Sequence, residues 1–335
     1  MSGPAVPATP GVPATLRIGT RPSTLAVAQS TTIADRLTAA GHPCELVTIS
    51  TSGDRSMAPV TTLGVGVFVS ALRDALTAGE IDVAVHSFKD LPTAQPGGLR
   101  IAAVPGREDA RDALVTNGRV LGELGRGARV GTGSPRRAAQ LYALGQGLEV
   151  VPIRGNVDTR IGKVRSGELD AVVVAAAGLR RLGRVDEAAE LIDPLQMLPA
   201  PAQGALAIEC RGTDTDLAAT LQAVLDDPGV RAAVAAERAV LATLEAGCTA
   251  PVGALADVVS DLDDDGRAVD RLSLRAALGV GEITGGDVLR ASVTGEMDAA
   301  EKLGAALAHE LLDLGAEDLP PAGLGSVNRW IGSTE

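Results

Sequence analysis

The sequence RIGTRPSTLAVAQ at 17–29 returns as RVGTGSPRRAAQ at 129–140, each a short apolar run passing through Gly-Thr into a serine-led helix start. A second echo follows in the same order, AGEIDVAVHS at 78–87 and SGELDAVVVA at 166–175, each a helix end leading into a buried strand. Two echoes in the same order imply two α/β units of like topology, against chance similarity in an Ala/Val-rich chain. The runs LRIGT (16–20), CELVTI (44–49), IDVAVHS (81–87) and DAVVVAAA (170–177) alternate with helical patterns, the rhythm of largely parallel sheets.

Beyond about residue 225 the rhythm changes. A long amphipathic helix (228–247) precedes strands near 252–259, 271–280 and 287–294, and a helix at 298–314 closes the series. The acidic stretch SDLDDDGR at 260–267 reads as a hairpin loop, so a small α+β domain is expected here. The fold class is therefore α/β, with two similar α/β domains plus a small C-terminal α+β domain. A chain of 335 residues accommodates that number of cores. The expected division is 16–105 with 205–223, then 110–200, then 228–318, flanked by a disordered extension at 1–15 and a tail at 319–335.

Only Phe68, Phe88, Tyr142 and Trp330 are aromatic, which removes the usual stacking platform for single-stranded nucleic acid. The formal charge of −12 also argues against nucleic acid as a partner, without excluding a locally positive cleft. Cys44, Cys210 and Cys248 lack metal-site or disulfide spacing and read as reduced thiols. No apolar run approaches the roughly 20 residues of a membrane span, and the first fifteen residues lack the pattern of a signal peptide. A soluble, cytoplasmic monomer is expected.

Both Gly-Thr turns place hydroxyls at helix starts: Thr20, Arg21 and Ser23 in the first, Thr132 and Ser134 in the second. Unpaired N–H groups there favour anions, although ordinary Ser/Thr capping explains the same pattern. Of the 30 basic residues, only Lys89, Lys163 and Lys302 are not arginine. Codon bias accounts for that ratio but not for the grouping of Arg136, Arg137, Arg154, Arg160 and Arg181 near strand ends and helix starts of the second unit. Planar, permanently charged forks converging there suit a ligand rich in carboxylates.

HSFKD at 86–90 ends an apolar strand and sets Lys89 and Asp90 just beyond it, ahead of Pro92. A carboxylate at that position can stabilise positive charge and exchange protons with a substrate nitrogen; the plainer reading pairs it with Lys89 or makes it a turn cap. His86 reads as a satisfied buried histidine. Cys248, in AGCTAPVG between a helix end marked by Gly247 and a strand after Pro251, is either a reachable loop thiol or an inert buried one. Cys44 and Cys210 read as core residues.

HSFKD, GTGSPRR at 131–137, RGNVDTR at 154–160 and AGCTAPVG at 246–253 stand in an order that resembles the hydroxymethylbilane synthase (porphobilinogen deaminase) family, from about Leu16 to about Gly315. The resemblance implies two periplasmic-binding-protein-like (type II) α/β domains flanking a cleft, with the third domain presenting the cysteine loop. It implies a covalent dipyrromethane cofactor on Cys248 by a thioether. It also implies head-to-tail addition of four molecules of the partner substrate porphobilinogen, with loss of ammonia each time, and a final hydrolysis to hydroxymethylbilane.

By the same resemblance, Asp90 is the catalytic carboxylate, facing the pyrrole N–H as the azafulvenium cation forms. Arg21, Arg136, Arg137, Arg154, Arg160 and Arg181 match arginines that hold acetate and propionate groups, and Ser23, Lys89, Thr132, Ser134 and Gln203 fall in the same cleft-lining motifs. No metal is implied.

Some positions depart from the family pattern. Thr61 and Val65 stand where many members carry lysine in a loop over the active site. Phe88, Gly133, Pro135, Ala246 and Ala250 also replace more usual residues. None of these changes removes a charged catalytic group or the thiol. The competing reading is a non-enzymatic carboxylate-binding module of the same architecture. A transcriptional effector-binding domain lacks any helix-turn-helix segment here.

Overall fold

The computed structural model describes residues 11–50, 67–246, 250–263, 265–281 and 286–315. Cys248, Thr61 and Val65 lie outside the described residues, as do 319–335. The contacts divide the chain into two compact units. One holds the described residues up to Arg107 with Ala205–Arg231; the other holds Glu108–Gly204 with the described residues from Ala232 onward.

The first unit is built on a five-stranded sheet of β1 (Leu16–Thr20), β2 (Cys44–Thr48), β3 (Val83–Ser87), β4 (Leu99–Ala103) and β10 (Leu206–Arg211), ordered β2-β1-β3-β10-β4. β1 runs parallel to β2 and β3, whereas β10 is antiparallel to both of its neighbours. Helices α1 (Thr24–Ala39) and α6 (Thr215–Leu225) cover one face. There Ile33, Leu37, Leu217 and Leu221 meet Leu16, Ile18, Val83 and Ile208. Leu72 and Leu76 of α2 (Val67–Thr77) meet Ile81 and Ala84 on the other face. Val12 packs against the first of these cores, so the packed chain begins before Leu16.

The sheet of the second unit comprises β5 (Asp112–Thr116), β6 (Arg129–Thr132), β7 (Glu149–Pro152), β8 (Ala171–Ala175) and β9 (Glu190–Leu191) in the order β7-β6-β8-β5-β9. Parallel β7-β6-β8 adjoin an antiparallel β5. Counting β1–β4 in one sheet and β6–β9 in the other, both sheets order these four strands second-first-third-fourth, with an antiparallel strand, β10 or β5, inserted before the fourth. That antiparallel strand is in each case the first one formed after the chain enters the unit from the other. The sequence echoes are met down to the register: Gly19 pairs with Ala84 and Gly131 with Val172, the residues the echoes align. The same Arg–Asp clasp opens both copies, with Arg17 N donating to Asp82 at 3.0 Å and Arg129 N to Asp170 at 2.9 Å.

Helices α3 (Pro135–Ala143), α4 (Val157–Arg165) and α5 (Ala176–Arg181) flank the second sheet. Ala138 and Leu141 pack with Val130, Val150 and Val173, while Ile161, Val164 and Leu179 pack with Val172 and Val174 on the opposite face.

Also in the second unit, β11 (Val252–Leu262), β12 (Ala268–Gly279) and β13 (Val288–Glu296) form an antiparallel meander. Helices α7 (Pro228–Thr243) and α8 (Ala300–Asp313) cover one face, burying Val240, Leu272, Leu274 and Leu307. On the other face Leu255 and Ala277 meet Leu198, and α3 packs on β12.

Helix α7 stops short of the expected 247. Ala246 N donates to Leu241 O and Glu245 N to Ala242 O, a Schellman closure whose left-handed residue is Glu245 at φ 49°. Gly247, which the sequence offers as the helix end, lies outside the described residues.

Candidate active site

In each unit the site residues singled out by sequence gather at the carboxyl ends of the parallel strands, where α/β sheets bind ligands beside the strand at which the order reverses. In the first unit β1 ends on buried Thr20, and Ser23 caps α1 by accepting from Ala26 N at 3.3 Å. Arg21 is half-buried between them. β3 ends in a single 3-10 turn over Phe88–Asp90, which buries Phe88, leaves Lys89 half-buried and exposes Asp90. Short of that edge, buried His86 has its Nε2 3.2 Å from Glu209 Oε2, and Arg73 holds the same carboxylate at 2.9 Å. Burial would raise Glu209, yet His86 and Arg73 keep it below the ordinary range. His86 is thus buried in the core as its sequence context suggests, but its Nε2 makes no well-formed hydrogen bond and only approaches the Glu209 carboxylate.

In the second unit, Thr132 Oγ1 accepts from Ser134 N at 3.1 Å, and Ser134 caps α3 through Arg137 N at 3.5 Å, with Pro135 at a first-turn position that needs no donor. The segment RGNVDTR is shaped by Gly155 at φ 104°, where a Cβ would stand 2.7 Å from Thr159. Asn156 then caps α4, accepting from Thr159 N at 2.9 Å, and Arg160 Nε donates back to Gly155 O at 3.0 Å. Gly133 lies close by: a Cβ there would be 2.6 Å from Ile153 O and 3.9 Å from Arg160 Nη2. The guanidinium of Arg160 therefore sits beside the start of α3.

Arg136 and Arg137, both on the first turn of α3, are buried and converge on Asp112 at the start of β5. The shortest contacts are 2.8 Å from Arg136 Nη1 to Oδ2 and 2.7 Å from Arg137 Nη2 to Oδ1. Arg137 Nη1 also donates to Val173 O, and Gln203 Nε2 donates to Asp112 Oδ1 at 2.8 Å. Burial alone would raise the Asp112 carboxyl, but the two guanidinium groups hold it far below the usual carboxylate range. Arg181 Nη2 donates to Gly204 O at 2.6 Å. Burial lowers Arg181, with Glu108 opposing.

Burial, with repulsion from Arg137 and Arg154 added, pulls Arg160 down to about 10. Arg154, exposed after β7, is itself lowered by burial of its guanidinium surroundings. Like charges held within range of one another at a strand edge are relieved by an anion, so this cluster fits a ligand bearing several carboxylates.

Some site residues carry no obvious sequence signal. Asp112 opens an apolar run and finds Arg137 25 residues on, with Arg136 beside it, and its glutamine 91 residues on. Gln140 exchanges two hydrogen bonds with the backbone of Leu198. Fully buried Glu237 accepts from Ala202 N at 2.6 Å and Ala256 N at 2.9 Å, fastening the turn that carries Gln203, where Ala202 is left-handed at φ 63°. The readable hint is Glu237's place on the apolar stripe of α7, between Ala233 and Leu241. The cysteines diverge: Cys210 is fully buried in β10, with desolvation pushing its thiol up to about 11, whereas Cys44 on the edge strand β2 is half-buried.

Among the described residues no group of three or more His, Cys, Asp or Glu could hold a metal ion, and no helix is long and apolar enough to cross a membrane.

Comparison with known proteins adds the following. Residues 16–219 match the porphobilinogen deaminase dipyrromethane cofactor binding domain, and residues 231–313 match the porphobilinogen deaminase C-terminal domain. The porphobilinogen deaminase of Nocardia farcinica is 62% identical over 305 residues, covering 91% of this chain and 87% of that protein. That of Mycobacterium tuberculosis H37Rv is 60% identical, covering 91% and 98%. Among solved structures, the methionine binding protein MetQ aligns at a TM-score of 0.38 and 13% identity, over 62% of this chain and 87% of that one. That likeness is too slight to carry an argument, and the fold rests on the strand orders above. With both domain models matched in order and relatives of about 60% identity spanning 91% of its length, the chain belongs to the porphobilinogen deaminase family.

Proposed function

We propose that this protein is a hydroxymethylbilane synthase, a transferase of porphyrin biosynthesis. It condenses four porphobilinogen molecules head to tail on a covalently bound dipyrromethane, releasing ammonia each time, and frees hydroxymethylbilane by hydrolysis. The observation that carries this reading is the family match across both domain models. Membership sets aside the non-enzymatic binding module that the residues alone leave open.

A dipyrromethane carries acetate and propionate groups, and the residues present suit it: Arg160 is burdened by burial and by the nearby positive charges of Arg137 and Arg154, which carboxylates would offset. The bound group supplies a covalent primer with a nucleophilic pyrrole carbon. Cys248 is the residue proposed to hold it, by thioether. Arg21, Arg136, Arg137, Arg154, Arg160 and Arg181 are proposed to grip the carboxylates, with Ser23, Lys89, Thr132, Ser134 and Gln203 completing the lining.

In each addition the C–N bond of the porphobilinogen aminomethyl group breaks, ammonia leaves, a C–C bond forms, and one proton leaves the attacked carbon. The proposed role of Asp90 is to set a negative charge against the pyrrole N–H while that ring is electron-poor, and to help move the proton. Its exposure at the end of β3 leaves it open to a substrate.

We propose a monomer acting in the cytoplasm, with neither nucleic acid nor membrane as partner. The boundaries 16–105 with 205–223, 110–200 and 228–318 are the proposed domain division.

Purified protein given porphobilinogen is expected to release four ammonia molecules per hydroxymethylbilane. Asp90→Asn is expected to lower kcat by about a hundredfold or more, with no change in melting temperature. A wild-type rate in Asp90→Asn would remove Asp90 from the mechanism. Wild type that leaves porphobilinogen unconsumed would sink the synthase reading.

A further inference from the structure

The two α/β units share one topology, which allows each charged residue of the second to be compared with its counterpart in the first. The echoes align Ser23 with Ser134, each the cap of its helix, so Arg136 and Arg137 fall opposite Leu25 and Ala26. They also align Ser87 with Ala175. Leu206 pairs with Ser87 and Asp112 with Ala175, so Asp112 falls opposite Leu206. The first unit thus builds the same sheet edge and helix start with Leu25, Ala26 and Leu206, where the second buries two arginines and an aspartate. The fold does not require the charges. Nor is a buried ion triad a good route to stability, because desolvation offsets much of the attraction and apolar residues of similar volume commonly serve as well.

The triad is nonetheless tightly built. Arg137 spends all three nitrogens, Nε and Nη2 on Asp112 Oδ1 and Nη1 on Val173 O. Gln203 braces the same oxygen at 2.8 Å. Arg136 Nη1 reaches Asp112 Oδ2 and Leu198 O, yet Arg136 Nε is buried without a hydrogen-bond partner. Asp112 Oδ2 is likewise buried without a hydrogen bond, its contact with Arg136 Nη1 being an ion pair at 2.8 Å, so this side of the triad keeps unused hydrogen-bonding capacity.

We infer that Asp112 is a positioning residue for this reaction: it holds Arg136 and Arg137 side by side at the carboxyl edge of the second sheet so that they meet ligand carboxylates in a fixed geometry, and the triad is retained for that placement and not for stability. This rests on the synthase reading above. It assigns a task to an acidic residue that would otherwise be an odd neighbour for a site collecting acids, since one carboxylate shared by two guanidinium groups orders both and leaves a net positive charge.

The test separates placement from stability. In a Cys248→Ala background, which cannot carry the dipyrrole, Asp112→Asn and the triple replacement Asp112→Leu/Arg136→Leu/Arg137→Ala, copied from the first unit, are compared by thermal melting. With Cys248 intact, cofactor-free wild type, Asp112→Asn and Asp112→Glu are incubated with porphobilinogen, and the rate of covalent loading is read by denaturing intact mass.

The expected result is that both Cys248→Ala variants stay folded and the triple variant melts no lower than its parent. Asp112→Asn loads at least tenfold more slowly than wild type, and Asp112→Glu recovers part of the loss. Loading of Asp112→Asn at the wild-type rate would overturn the inference, as would a triple variant that does not fold. Wild type that never loads would instead fault the synthase reading, and the melting comparison would still decide whether the triad is needed for the fold.

Discussion

Glu245 takes the left-handed conformation that closes α7, where glycine is the usual occupant because a Cβ costs about 1 kcal/mol there. Glu245→Gly is therefore expected to stabilise the fold by about that amount, seen as a rise of about 2 °C in melting temperature. An unchanged or lower melting temperature would mean that the glutamate side chain contributes more than its backbone strain costs. Nothing in a glutamate announces a left-handed position, which is why the sequence points to Gly247 instead. Caps are more legible. Ser23 and Ser134 do what serines before a helical pattern do, because both partners lie within three residues of each other. Asp112 and Glu237 are the opposite case. Their partners are separated from them by 19 to 91 residues, and no local pattern encodes who will meet a buried carboxylate.

Among elements, α7 and α8 pack closely at a glycine. A Cβ on Gly304 of α8 would stand 2.1 Å from the carbonyl oxygen of Ala236 in α7. Alanine gains roughly 1 kcal/mol of helix propensity over glycine, but here the colliding atom is backbone and the two helices must separate. Gly304→Ala is expected to destabilise by about 2 kcal/mol or more by denaturant titration; a stabilised variant would mean the helices are not packed at this distance.

Legibility differed by element as well. β1, β2, β3 and β8 are found where apolar runs foretell them, and the meander lies within a few residues of its expected strands. The antiparallel direction of β5 and β10 is set by where the chain crosses between units, which no residue pattern states. The two-residue β9 is too short to carry a pattern at all.

At the scale of the whole molecule, the internal echo was the most informative feature: it implies two α/β units of like topology, and in the structure Gly19 pairs with Ala84 as Gly131 pairs with Val172. It also exposes an asymmetry between the two units. The first unit offers exposed Asp90 at the end of β3, and the second offers clustered arginines at the ends of β6, β7 and β8. A chain of net charge −12 can still present a locally positive edge where Arg136, Arg137, Arg154 and Arg160 lie near one another. The packing of α3 on β12 puts the meander in the same compact unit as that edge, a grouping that follows from long-range contacts and not from any local signal.

The most direct test of this account is the intact mass, under denaturing conditions, of the purified protein beside its Cys248→Ala variant, followed by acidic Ehrlich reagent. The account predicts a mass excess equal to two linked pyrrole units on the wild type, a colour reaction with it, and neither on the variant. A wild-type chain of unmodified mass that also fails to load when given porphobilinogen would contradict it.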